Sequence, residues 1–259
     1  MTDTTDMRTE FGALLRSWRE RRRLSQLALA LEGGISSRHL SYIETGRASP
    51  SREMVLRLAE QLDIPLRERN RLLLSAGFAP AFAERGLDDP TLAQMRAMVT
   101  RILEAHAPFP AVAIDRHWHL VAANAAVPPL LAGAAEALLK PPVNVLRLTL
   151  HPEGLAPRIV NLGEWRGHLL ARLSRQIADT GDAALAALRA EVASYPSPPE
   201  EEGHAQGLAV PFRIRTASGV LSFLSTSMVF GTPREVTLSE LAIEAFLPED
   251  AATLAALTG

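Results

Sequence analysis

Along the first part of the chain, apolar residues recur at spacings of three and four and are interrupted at short intervals by glycine, proline or a lone serine. That is the period of amphipathic helices with punctuated ends. Phe11, Leu14, Leu15, Trp18 and later Leu24 predict a first helix over residues 9–22, ending in the run Arg19-Glu20-Arg21-Arg22-Arg23. Ser25 is placed to cap a second helix with Leu27, Ala28 and Leu31 facing inward, and Gly33-Gly34 breaks it. The next stretch has both ends marked: Ile35 can staple from outside, Ser36 can cap the first free N–H groups, and Gly46 can take a left-handed position past the last turn. Leu40 and Ile43 form its inward face, leaving Ser37, Arg38, Ser41 and Tyr42 pointing out. Pro50-Ser51 starts a fourth helix striped with Met54, Val55, Leu58, Ala59 and Leu62, and Pro65 opens a fifth through Leu72, Leu73 and Leu74 to Gly77.

After a linker-like segment, FAPAFAERGLDD over residues 78–89, the pattern changes. Leu92, Met95, Val99, Ile102 and Leu103 predict a helix over 90–105, a connector or a dimer seam. Two strand-like runs, 111–115 and 119–124, follow around Arg116-His117-Trp118 and read as a hairpin, with Asn124 placed to cap a helix running to Leu131. Helices are expected over 143–150, 162–178 and 182–194; the long one carries Leu162, Trp165, Leu169, Leu170, Leu173 and Ile177 as its apolar stripe. Beyond the Pro and Glu rich loop 196–203, strands are expected over 208–216, 220–230 and 241–247. Two strands, several helices, then three strands is the element order of a PAS fold, a small antiparallel sheet with helices on one face. The fold class is therefore a mainly α five-helix helix-turn-helix domain followed by an α+β PAS-like domain. Residues 1–80, a linker and connector helix over 81–107, and residues 108–259 are the expected divisions.

Length and composition are compatible with two cores: 259 residues, 47% of them hydrophobic. Without cysteine, disulfides, thiolate metal sites and thiol catalysis are excluded. A polar start and the absence of an apolar run of roughly 18 residues point to a cytoplasmic protein. The net charge of −2 is unevenly spread: residues 1–80 hold 13 Arg against 10 acids, a net of +3, so the first part is the better partner for a polyanion.

The pattern Leu24-Ser25-Gln26, Ile35-Ser36 and Leu40-Ser41-x-Ile43-Glu44-x-Gly46-x-x-x-Pro50-Ser51 resembles the Xre (Cro/cI-type) family of helix-turn-helix regulators over residues 9–77. In that family the second helix of the motif enters the major groove of double-stranded DNA. The resemblance implies Ser37, Arg38 and Tyr42 as base-reading residues and Gln26, Ser41 and Arg47 as phosphate contacts. It also implies an ion pair between Arg19 and Glu44. Arg38 either reads a guanine, the commonest specific pairing of arginine, or is a solvated cation; His39 faces a phosphate or solvent.

Farther on, Ile114-Asp115-Arg116-x-Trp118-x-Leu120-x-Ala122-Ala123-Asn124, then Asn144-Val145-Leu146-Arg147, then Trp165 in a long helix, is similar to the ligand-binding domain of MmyB-like regulators over residues 108–250. That resemblance implies a small apolar ligand such as a fatty acid, with no bound cofactor. Candidates for the lining are Trp165, Leu169, Phe212, Phe223 and Met228, with His168 or Arg172 available to meet a carboxylate, unless the apolar ones are ordinary core. His117 and His119 alternate on one expected strand face but lack further ligands at a recognisable metal-binding spacing. With no phosphate loop or nucleophile elbow, the chain reads as a regulator rather than an enzyme, a homodimer on a palindromic operator. Two other readings remain: a DNA-binding adaptor whose second domain takes a protein partner, and a PAS sensor holding haem or flavin.

Overall fold

The structure, a computed structural model, describes residues 4–197 and 209–258. Residues 198–203 of the Pro and Glu rich loop, and the expected strand start at Leu208, lie outside the described residues. The chain forms two compact units: Met1–Arg85 with Thr232–Ser239, and Gly86–Gly231 with Glu240–Gly259. Each is described by itself.

The first unit contains α1 (Thr4–Arg21), α2 (Gln26–Glu32), α3 (Ser37–Glu44), α4 (Arg52–Gln61) and α5 (Leu66–Ser75). Ser25, Ser36 and Ser51 cap α2, α3 and α4, each accepting the N–H three residues on. Gly46 follows α3 at φ 73°, the left-handed conformation expected of it. The helices close on a core of Phe11, Leu15, Trp18, Leu29, Leu40, Ile43, Leu58 and Leu72. At Gly12, α1 crosses α3 so closely that a Cβ would stand 2.5 Å from the Glu44 carbonyl oxygen.

One expectation fails here. α2 buries Leu29 and Ala30, while Leu27 and Leu31 are exposed. A seven-residue helix with leucine at alternate positions offers two possible apolar faces, and contact with α3 and α4 selects the one containing Leu29.

The segment after α5 is more ordered than its linker composition suggests. Asn70, buried on α5, accepts the N–H groups of Ala81 and Phe82 on Oδ1 and donates to the Phe82 carbonyl from Nδ2. Residues 232–239 then join this unit: Ala83 pairs with Glu235 in a parallel bridge, and the Val236 N–H donates to the Ala83 carbonyl at 2.9 Å.

The second unit begins with α6 (Ala93–Ala105), entered through a 3-10 turn at Pro90–Leu92. Next come β1 (Ala111–Ile114), β2 (Leu120–Ala123), α7 (Glu136–Leu139), α8 (Val145–Leu150), α9 (Leu162–Thr180) and α10 (Ala183–Ala193). Last are β3 (Phe212–Thr216), β4 (Gly219–Val229), β5 (Ala242–Pro248) and α12 (Ala251–Thr258); α11 (Val236–Ser239) belongs to the first unit. The five strands pair antiparallel in the order β2-β1-β5-β4-β3. This α+β arrangement agrees with the fold class read from the sequence.

Helices cover both faces of the sheet rather than one. Val112, Ile114, Phe212, Ile214 and Phe223 face the main core with Leu146, Trp165, Leu169 and Leu188. Ala111, Ala113, Ile243 and Ala245 face the other way, where Val99 and Leu103 of α6 bury against them. The small alanines let α6 lie close, so part of its stripe serves its own sheet. Asn124 does not cap the following helix: it is buried, accepts the Ala111 N–H, and donates to the Leu103 and Phe109 carbonyls. A 3-10 turn at Pro128–Leu131 stands where that helix was expected. The connection expected after β4 contains α11, and α12 follows β5; neither carries the long apolar stripe that marks a helix in the sequence.

Candidate functional site

In the first unit the outward face of α3 is the one expected. Ser37 and Arg38 are exposed, Ser41 and Tyr42 half-buried, and Leu40 and Ile43 fully buried. Arg38 Nε donates to Tyr42 Oη at 3.0 Å, and its guanidinium lies 5.4 Å from the Tyr42 ring centroid. One helical turn apart, the two side chains brace each other; because the bond engages Nε, an end-on approach of Nη1 and Nη2 to a guanine edge need not break it. Arg47 is exposed just past Gly46.

Behind this face, Arg19 grips Glu44 through Nε at 2.6 Å and Nη2 at 3.0 Å, and donates to the Leu24 carbonyl from Nη1. Glu44 also accepts Gln26 Nε2 at 2.8 Å, so the side chain expected at a phosphate is tethered to the ion pair. With Glu44 buried, the pair fixes α1, the start of α2 and the end of α3 to one another.

In the second unit an apolar cavity of about 110 Å³ lies between the sheet and the helices over it. Of the candidate ligand residues, Trp165, Leu169, Arg172 and Phe212 line it. Phe223 is fully buried behind Phe212, their ring centroids 6.4 Å apart, and is not on the wall. Met228 belongs to the cluster on the other face of the sheet, since alternate residues of a strand point to opposite sides. His168 stacks on Trp165 at 5.2 Å and is also off the wall. Burial, together with the charges of Arg172 and Arg175, holds the His168 imidazole below its ordinary pKa.

The polar corner of the cavity contains residues that the sequence reading missed. Glu244 of β5, buried, binds both terminal nitrogens of Arg172, one at 2.9 Å. Ser227 donates to the same carboxylate at 2.9 Å, and Ser225 also faces the cavity. A lone acid in the apolar run Ala-Ile-Glu-Ala-Phe-Leu was the available signal.

Trp118 forms another part of the wall, held in the left-handed conformation at φ 67°. Asp115 enforces that turn, its Oδ1 accepting the N–H groups of both His117 and His119 at 2.8 Å. Trp118 Nε1 donates to Gln176 Oε1, and the Arg172 guanidinium lies 4.6 Å from its ring centroid. His117 therefore sits in a turn, bound to Asp182, while His119 lies just before β2 in an antiparallel bridge with Asn144 and is bound to Asp115, so the two do not share a strand face. Burial pushes the Asp182 carboxyl up, but the bonds from His117 and the Ala184 N–H, with the charge of Arg116, more than offset it and leave the group below the usual carboxylate range.

A capped helix-turn-helix and a separate unit with an apolar cavity define a class: a DNA-binding transcription regulator with its own ligand-binding domain. The comparisons with known proteins make this more particular. The family described as MmyB-like transcription regulator ligand binding domain matches residues 95–258, and Helix-turn-helix matches residues 15–69. The chain belongs to the MmyB-like transcription regulators. Comparison with curated proteins gives no match.

Among solved structures, the restriction-modification controller protein C.AhdI from Aeromonas hydrophila is 36% identical over 24% of this chain and 92% of its own, with a TM-score of 0.23. The clp gene regulator ClgR from C. glutamicum is 28% identical over 27% of this chain and 88% of its own, with a TM-score of 0.25. An HTH_3 family transcriptional regulator from Vibrio cholerae is 28% identical over 24% of this chain and 34% of its own, with a TM-score of 0.23. No helix among the described residues is long and apolar enough to cross a membrane.

Proposed function

We propose that the protein is a cytoplasmic, ligand-responsive regulator that binds a palindromic operator as a homodimer. Ser37, Arg38 and Tyr42 read bases, while Gln26, Ser41 and Arg47 hold phosphates. A fatty-acid-like ligand in the second unit alters how the two recognition helices of the dimer meet successive half-sites. These lie roughly 34 Å apart in such operators, so a small rotation spoils the match.

The observation that carries this reading is the cavity beneath Trp118, Trp165 and Phe212, walled mainly by aromatic and aliphatic side chains with its charged groups confined to one corner. Such a lining suits an acyl chain and offers little to a polar metabolite. Mass spectrometry of the purified protein after denaturation tests it. A released lipid is the expected result; a haem or flavin, with its visible absorption band, would replace the reading with a cofactor sensor, and a protein co-purifying in stoichiometric amount with no small molecule would favour the adaptor.

A further inference from the structure

We propose that the cavity of the second unit takes up an acyl acid together with one proton: the ligand carboxylate lies beside Glu244, and the two carboxylates share the added proton against the Arg172 cation. This rests on the acyl-ligand reading above and adds a dependence on pH to it.

Of the residues lining the cavity, only Arg172 on α9 and Glu244 on β5 carry charge, and they are paired with each other. Ser225 on β4 and Thr149 on α8 add hydroxyls, and the rest of the wall is aliphatic or aromatic. An acyl chain fills the apolar part, so its carboxylate is left with the corner formed by Arg172, Glu244 and Ser225.

That corner is neutral in sum. Glu244 engages both terminal nitrogens of Arg172, and the Ser227 hydroxyl lies 2.9 and 3.0 Å from its two oxygens. A bidentate pair uses two of the five N–H groups of a guanidinium and leaves three. Trp118, with its ring centroid 4.6 Å from the guanidinium, holds Arg172 against the wall. The cation therefore has donors for a second carboxylate without giving up the first.

Its charge does not stretch as far. With the ligand in place the corner holds two anions and one cation, and the Glu244 side chain is only 6% exposed, so water screens little of the repulsion. Like charges so placed do not both stay ionised; a proton held between them restores the balance and adds a hydrogen bond. No other group supplies the missing positive charge. His168 on α9 feels Arg172, Arg175 and Glu244, but burial and the two arginines favour its neutral form. Arg175 is exposed and off the wall, while β4 presents only the hydroxyls of Ser225 and Ser227 and α8 only that of Thr149.

Isothermal titration calorimetry of delipidated full-length protein with dodecanoate, in two buffers of different ionisation enthalpy, counts the protons exchanged. Uptake of about one proton per dodecanoate is expected, with a Kd that rises about tenfold per pH unit between about pH 6.5 and 8.5, where isolated carboxyls are ionised. Dodecanol brings no charge and should bind without proton uptake. Glu244→Gln leaves Arg172 to the ligand and should bind dodecanoate with no uptake and a Kd independent of pH over the same range. Dodecanoate binding to the unaltered protein without uptake, equal uptake with dodecanol, or uptake that persists in Glu244→Gln would each overturn the shared proton alone. Failure of both ligands to bind would overturn the acyl reading and this one with it. If Glu244→Gln does not fold, the count for dodecanoate against dodecanol on the unaltered protein still decides the matter.

Discussion

Glu235 and Arg85 stand 150 residues apart in the chain, yet Glu235 Oε1 accepts the Arg85 N–H at 3.0 Å, and its other oxygen accepts the Leu238 N–H at 2.8 Å. One carboxylate thus starts α11 and fastens it to the segment that leaves α5. Thr237 adds a bond from its hydroxyl to the Arg85 carbonyl. The fastened residues lie between β4 and β5, the strands that supply Ser225 and Glu244 to the cavity wall. The chain therefore passes between the two units at three places, after Arg85, after Gly231 and after Ser239.

The proposed ligand response has a covalent route through this segment. Glu235→Ala with Thr237→Val should leave operator affinity of the ligand-free protein within about twofold while reducing the ligand-induced change in that affinity. Fluorescence anisotropy on a labelled operator, with and without dodecanoate, measures both quantities. A ligand effect of undiminished size would show that the fastening plays no part.

Arg38→Ala should cost about 1–3 kcal/mol at one base pair of the operator and relax discrimination there. It also removes the brace on Tyr42. Competition between the selected operator and duplexes altered one position at a time locates the affected base pair. Equal loss on operator and on random DNA would make Arg38 a contact to the backbone only.

Glu44 is buried with Arg19, so Glu44→Ala leaves a cation in the interior and should destabilise the first unit by about 3–5 kcal/mol. It also releases Gln26. Chemical denaturation of the variant measures the loss, and the double variant Arg19→Met with Glu44→Leu should recover a large part of it. No recovery would mean that hydrogen bonds to Leu24 and Gln26, and not the stranded charge, dominate.

His168 carries a pH dependence. Burial first, then Arg172 and Arg175, depress its pKa in the folded protein, so the unfolded chain binds the proton more readily. Its contribution to stability is present above the ordinary histidine pKa and is lost as pH falls from there through the depressed folded value. Melting temperature should therefore fall more steeply with decreasing pH, below about 6.5, in the native protein than in His168→Gln. Parallel curves would remove His168 as a source of that slope.

Local signals account for most of what was legible in the sequence. Ser36, Gly46 and the pair Leu40 and Ile43 describe α3 within eleven residues, and the structure reproduces its caps and its two faces. The same holds for the long stripe of α9. What escaped depends on residues far apart. Glu244 meets Arg172 across 72 positions, and Trp118 turns into the cavity because Asp115 stabilises a backbone conformation that side-chain patterning does not encode. Hydrophobicity alone groups Met228 and Phe223 with Phe212. Register separates them: β4 places Phe223 opposite Phe212 and Met228 opposite Ile243, on the α6 face.

Operator affinity of one protein preparation, delipidated and then saturated with dodecanoate, tests the link between the two units most directly. A duplex selected from random sequence serves as the operator, and anisotropy gives Kd in each state. A ligand-regulated DNA-binding protein should change its Kd by about tenfold or more on saturation and yield a palindromic selected sequence. An unchanged Kd, with the ligand demonstrably bound, would contradict it.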